Sequence, residues 1–176
     1  MNLSVTGPEY APKPVFDTGQ ELDLPERILK RLRKTDFMTR TIMEIFPKAR
    51  HELISINTLP HPDPELRLTP GGKCHQRIGY FCLESGQPIV FTIAFISIEK
   101  TKPELIAHSE SRLKPFGELL RDHYPDSSIT SEVISTQENI KLPGVFLPAT
   151  TRRRVYRRER YIIVDGKKIA RVVEFI

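Results

Sequence analysis

Apolar positions along the chain follow two periods. Ile28, Leu29 and Leu32 recur at helical spacing behind Leu24-Pro25-Glu26, where a proline is tolerated in a first turn, so a helix should begin there. A second helical segment fits Thr35 to Phe46, with Asp36 as its cap and Phe37, Ile42, Ile45 and Phe46 as its buried face before Pro47 stops it. From about residue 50 the period changes to two. His51 to Thr58 reads as a strand, and the Pro-rich stretch Leu59 to Gly72 reads as an exposed loop with a short edge strand at Leu66 to Leu68. Gln76 to Leu83 and Pro88 to Ile98 are β-branched and aromatic runs around Glu84-Ser85-Gly86-Gln87, which predicts a hairpin. Helices are expected again at Pro103 to Ser109 and Pro115 to His123. Strands follow at Ile129 to Thr136, Arg154 to Val164 and Ile169 to Phe175, the last two joined through Asp165-Gly166-Lys167.

Helices, strands, helices and strands in that order, linked by hairpins instead of alternating βα units, predict the α+β class: an antiparallel sheet of about six strands with helices packed on one face. Residues 1–23 hold Pro8, Pro12 and Pro14 without apolar periodicity and read as an N-terminal arm. Residues 24–176 then form a single domain, within the usual size of one.

Composition changes this picture little. With 39% hydrophobic and 28% charged residues the chain is ordinary for a globular protein, and it has no apolar run of membrane-spanning length. The N-terminus lacks the basic start and apolar centre of a secretory signal, so a cytoplasmic location is expected. Cys74 and Cys82 are expected to be reduced thiols. The cysteines and His51, His61, His75, His108 and His123 fall at no metal-ligand spacing, so no metal site is expected.

Charge is more informative. The formal net charge is +5, yet residues 150–176 alone carry nine Lys or Arg against Glu159, Asp165 and Glu174. Six Arg between Arg152 and Arg160 could meet phosphates. The run passes straight into Tyr161-Ile162-Ile163-Val164, however, so it belongs to a closing hairpin whose alternating Arg residues point either to solvent or into a sheet-lined pocket, and most of them are expected to form a solvated strand edge. Nucleic-acid binding is the disfavoured reading.

Three positions break the apolar pattern. Glu174 shares a face of the last strand with Ala170, Val172 and Ile176, so it lies either in the core or at a frayed end. Arg77 shares a face with Gly79, Phe81 and Leu83, an arrangement suited to clamping a carboxylate through paired N–H donors, with a snorkelling side chain as the competing reading. Pro115 opens a helix whose next N–H groups, on Phe116 and Gly117, sit at the positive end of the dipole.

Taken in order, these landmarks resemble the chorismate pyruvate-lyase family. The matching residues are Asp36-Phe37-Met38-Thr39, Arg77, the hairpin with Cys82 and Gly86-Gln87-Pro88, Lys102-Pro103-Glu104-Leu105, Leu113-Lys114-Pro115-Phe116-Gly117, Asp165-Gly166-Lys167 and Val173-Glu174-Phe175. The resemblance implies removal of pyruvate from chorismate to leave 4-hydroxybenzoate, without metal or organic cofactor. It implies that Arg77 clamps the ring carboxylate with help from the backbone N–H of Phe116, and that Glu174 and the main chain near Met38 meet the hydroxyl or ether end. Glu174 and Arg77 would be the catalytic pair, and chorismate or a similar aromatic or cyclic carboxylate the partner. Phe116 stands where the bacterial enzyme has an aliphatic residue. The alternative implied by the same resemblance is a non-catalytic sensor of a small acid, because effector domains of one class of bacterial transcription regulators share the fold. Those follow a winged-helix region, for which residues 1–48 look too short and too Pro-rich.

Overall fold

The computed structural model describes residues 24–110, 114–146 and 154–176, so the arm expected at residues 1–23 and the start of the Arg run, Arg152 and Arg153, lie outside the described residues. Helices α1 (Glu26–Lys34) and α2 (Met38–Ile45) precede strand β1 (Arg50–Pro60), a 3-10 turn at Pro64–Leu66, and the hairpin β2 (Lys73–Cys82) and β3 (Pro88–Ser97). Helices α3 (Pro103–Ser109) and α4 (Phe116–His123) lead to β4 (Ile129–Lys141), β5 (Arg154–Val164) and β6 (Lys167–Phe175). All six strands form one antiparallel sheet in the order β1-β2-β3-β6-β5-β4, the predicted α+β architecture. The closing hairpin turns on Asp165 and Gly166, both at positive φ (48° and 78°), as a two-residue turn with the right-handed twist of its strands requires.

The pleat sorts the two faces. On one, Ala94, Ile162, Ala170 and Val172 pack under Leu105, Leu119 and Leu120 of α3 and α4, while Phe81, Val90 and Ile176 pack under Leu32, Met38 and Ile42 of α1 and α2. On the other, Ile78, Tyr80, Phe91, Val173 and Phe175 are covered by Leu142 and Phe146. Both cysteines are buried and unbridged. No helix among the described residues is long and apolar enough to cross a membrane.

Four local expectations are corrected. No strand forms at Leu66 to Leu68. Pro64–Leu66 is a 3-10 turn started by Asp63, whose side chain accepts from Glu65 N at 2.9 Å, and Leu66 is fully buried. Asp36 does not cap α2: its carboxylate accepts from Ser131 Oγ at 2.9 Å, and the N-cap is Phe37, which is 47% exposed instead of buried. Most consequentially, β5 is not an edge, because β4 continues to Lys141 and pairs along its outer side. Arg158 and Arg160 point to the helix-covered face under the α1–α2 connection and are buried, at 2% and 4% exposure.

A second charged cluster fastens the Pro60–Gly72 connection to the covered face. Tyr161 Oη donates to Asp63 Oδ2 at 2.5 Å, and Arg171 lies 3.9 Å from the same carboxylate while also pairing with Glu159. Burial alone would push the Asp63 carboxyl up, but the Tyr161 hydroxyl, the Glu65 N–H and the Arg171 charge together hold it below the usual carboxylate range. A lowered folded value means the stabilisation is fully present above the unfolded carboxylate value and is lost as pH falls through the folded one. Asp63→Asn should cost about 1–3 kcal/mol at neutral pH and lose less stability than the parent as pH falls below the ordinary carboxylate value of about 4. Parallel acid-denaturation curves would refute this attachment.

Candidate functional site

A cavity of about 550 Å³ opens between the helix-covered face of the sheet and the N-termini of α2 and α4. Its floor follows from register. Arg77 on β2 lies opposite Ala94 on β3, which faces Val172 on β6 and then Arg160 on β5; the adjacent row runs Gly79, Thr92, Glu174, Arg158. Gly79, Thr92 and Ala94 are small, so the sheet carries a shallow trough where a larger residue would fill the space. Arg77 rises at one end and Glu174 at the other. Two strand spacings, roughly 10 Å between backbones, separate them.

Arg77 is 3% exposed. Its Nη2 donates to the carbonyl of Lys114 at 2.7 Å, just before α4, while Nε and Nη1 are buried with no hydrogen-bond partner among the described residues. Burial pushes its pKa down to about 10. A buried guanidinium with two unused donors is costly unless something anionic joins it.

Glu174 is 1% exposed, which decides between core and frayed end in favour of core. Its Oε2 accepts from Arg158 Nε at 2.7 Å and its Oε1 from Arg160 Nη2 at 2.7 Å. The same guanidiniums reach further. Arg158 Nη1 donates to the carbonyls of Arg33 and Thr35 at 2.8 and 2.7 Å, and Arg160 Nη1 donates to the carbonyl of Asp36. The triad thus ties the α1–α2 connection to the sheet and sets the position of Met38, the first residue of α2. These two arginines are thus held by internal acceptors and not at the solvated edge expected of them.

The helix ends complete the wall. Neither α2 nor α4 has a side-chain cap, and Met38 and Phe116 occupy their first positions. A Cβ on Gly117 would come within 2.6 Å of Thr39 Oγ1, so glycine is what allows the two N-termini to converge. Pro115 is the N-cap and not the first helical residue. Its carbonyl accepts from Glu118 and Leu119, leaving the earlier N–H groups of Phe116 and Gly117 as the orphan donors of the turn. Arg77, Glu174, Met38 and Phe116 therefore all line one cavity.

Sequence reasoning leaves Arg158 and Arg160 open between a solvated edge and the pocket, and it misses His51, which it weighs only as a metal ligand. Hairpin register alone would not have found the arginines: an unbroken two-residue hairpin at Asp165-Gly166 sets Arg157 opposite Glu174, and it is the irregularity between Ile162 and Ile163 that shifts the pairing by one and brings Arg158 opposite Glu174 with Arg160 one pair away on the same face.

No family model matches the chain, and no curated protein matches it. Solved structures do share its architecture. A transcriptional regulator of the GntR family from Bacillus cereus aligns at 12% identity over 73% of this chain and 90% of that one, with a TM-score of 0.50. The C-terminal domain of Yurk from Bacillus subtilis aligns at 11% identity over 72% and 88%, with a TM-score of 0.51. A gene product from Staphylococcus aureus aligns at 13% identity over 82% and 90%, also at 0.51. At these identities the likeness concerns the fold.

Proposed function

We propose that the cavity binds a small cyclic carboxylate and that the protein is a chorismate pyruvate-lyase. The observation that carries the reading is the Arg77 guanidinium, buried with two unpartnered donors and facing the ion-paired Glu174 across a floor of small residues. A ring carboxylate fits the Arg77 end, where paired N–H groups match a planar anion and the Phe116 N–H adds a third donor. At the other end Glu174 keeps free lone pairs and accepts from the ring hydroxyl.

The reaction is an elimination. The ring carbon bearing the hydroxyl gives up its hydrogen, the neighbouring C–O ether bond breaks with its electrons going to the departing group, and that group takes a proton to become pyruvate. The ring becomes aromatic, so no oxidant or reductant is consumed. The protein's main task is then to hold the reactive conformer, with Glu174 and the α2 N-terminus near Met38 orienting the hydroxyl and ether oxygens where the proton leaves. No cofactor is required by this balance. A cytoplasmic site of action goes with the reading.

A sensor that binds the acid without changing it is the second reading, supported by the likeness to the Bacillus cereus regulator and by Glu174 having both oxygens engaged by arginine. Incubation with fresh chorismate separates the two. The lyase releases 4-hydroxybenzoate and pyruvate in equal amounts, detected by chromatography. Binding of chorismate without either product would end the lyase reading and leave the sensor.

A further inference from the structure

His51 stands on β1 at the Arg77 end of the same cavity. It pairs in register with Phe81, and its ring meets the Phe81 ring edge-on at 5.0 Å. Its Nε2 lies over Gly79, where a Cβ would come within 2.9 Å of it, on the face of β2 that carries Arg77. Its Nδ1 is buried and has no hydrogen-bond partner among the described residues. Burial, reinforced by the Arg77 charge, pushes the imidazole pKa down to about 3, so the ring is neutral at physiological pH.

A neutral imidazole has one N–H and one lone pair. An N–H buried without an acceptor costs more than an unpaired lone pair, because a lone donor loses its only hydrogen bond. The proton therefore belongs on Nε2, the nitrogen over Gly79, and the orphaned Nδ1 is the lone pair. We infer that His51 is a binding and specificity-determining residue, whose Nε2–H donates to the carboxylate that Arg77 clamps, so that the acid end is read by a cation and a neutral donor together. This rests on the carboxylate-binding reading of the cavity, and it adds a selection rule. A neutral ring adjoining one guanidinium, with the Arg158 and Arg160 guanidiniums bound to Glu174 at the opposite end of the floor, suits a planar monoanion at the Arg77 end better than a phosphate dianion.

The test uses 4-hydroxybenzoate and benzoate as probes, titrated by calorimetry into the full chain and into His51→Phe and His51→Gln. The phenylalanine keeps the contact with Phe81 and removes the N–H; the glutamine restores a donor. The expected result is a weakening of both probes by roughly 10- to 100-fold in His51→Phe, with His51→Gln recovering most of it. Nitrogen-15 shifts of the imidazole in the unsubstituted protein should show the Nε2–H tautomer whether or not the variants fold. An Nδ1–H tautomer, unchanged affinity in His51→Phe, a loss confined to 4-hydroxybenzoate, or no recovery in His51→Gln each overturns the assignment while leaving the carboxylate cavity in place. Failure of the unsubstituted protein to bind either probe overturns both.

Discussion

Arg77→Met should move stability and binding in opposite directions. In the ligand-free protein Arg77 is a buried cation with one carbonyl acceptor and two unused nitrogens, and burial has already lowered its pKa to about 10. Folding therefore works against its charge. Methionine fills a similar volume without one, so the variant should be more stable than the parent by on the order of 2 kcal/mol, less whatever is lost with the bond to Lys114. Ligand binding should suffer by about 100-fold or more, since paired charge-assisted hydrogen bonds are each worth about 1.5–3 kcal/mol. Thermal melting and calorimetry with 4-hydroxybenzoate on the same two proteins check both signs. A variant that is less stable and binds normally would show that Arg77 supports the Lys114 turn and nothing else. The opposed signs are what a site under functional constraint produces, because a group kept unsatisfied in the free protein is satisfied only by what it binds.

Element identity was legible in the sequence because it depends on local signals: the Asp165-Gly166 turn, the Pro103 and Pro115 helix starts and the two-residue period of β2, β3 and β6 all appear where expected. Arg77 and Glu174 stood out because each is a charge on an apolar face, and both are buried in one cavity wall. What escaped depends on which strands become neighbours. Arg158 and Arg160 looked like edge residues, since nothing local announces that β4 will pair along β5 or that the carbonyls of Arg33, Thr35 and Asp36 will lie over their face. The Leu59 to Gly72 stretch looked like exposed loop because its prolines hide that His61, Asp63 and Leu66 are buried against β5 and β6. Asp36 has the composition of a cap, yet the reach of Arg160 to its carbonyl and of Ser131 to its carboxylate claims it for a tertiary role. His51 carried no pattern at all, as its meaning comes from Gly79 beneath it.

Glu174→Gln is expected to be the most damaging conservative change in the chain. Two guanidiniums converge on the carboxylate, one on each oxygen, and both are nearly inaccessible to water. An amide of the same shape offers one acceptor and one donor, so whichever way it turns, one arginine faces N–H groups and loses its partner. Breaking a buried ionic network on one side costs about 3–5 kcal/mol, and here the loss spreads, because Arg158 and Arg160 also hold the carbonyls of Arg33, Thr35 and Asp36. The start of α2 should shift with them, taking Met38 out of the cavity wall. Two consequences follow for function. Affinity for 4-hydroxybenzoate should fall modestly, since the carboxylate end at Arg77 is untouched, whereas release of pyruvate from chorismate should fall by about 100-fold or more, because a misplaced hydroxyl and ether end costs orientation in the transition state. Melting temperature, affinity and turnover can be measured on one preparation. A variant as stable as the parent would show that the triad is not what anchors α2. A large loss of stability with turnover per folded molecule unchanged would reduce Glu174 to an anchor and remove it from the reaction.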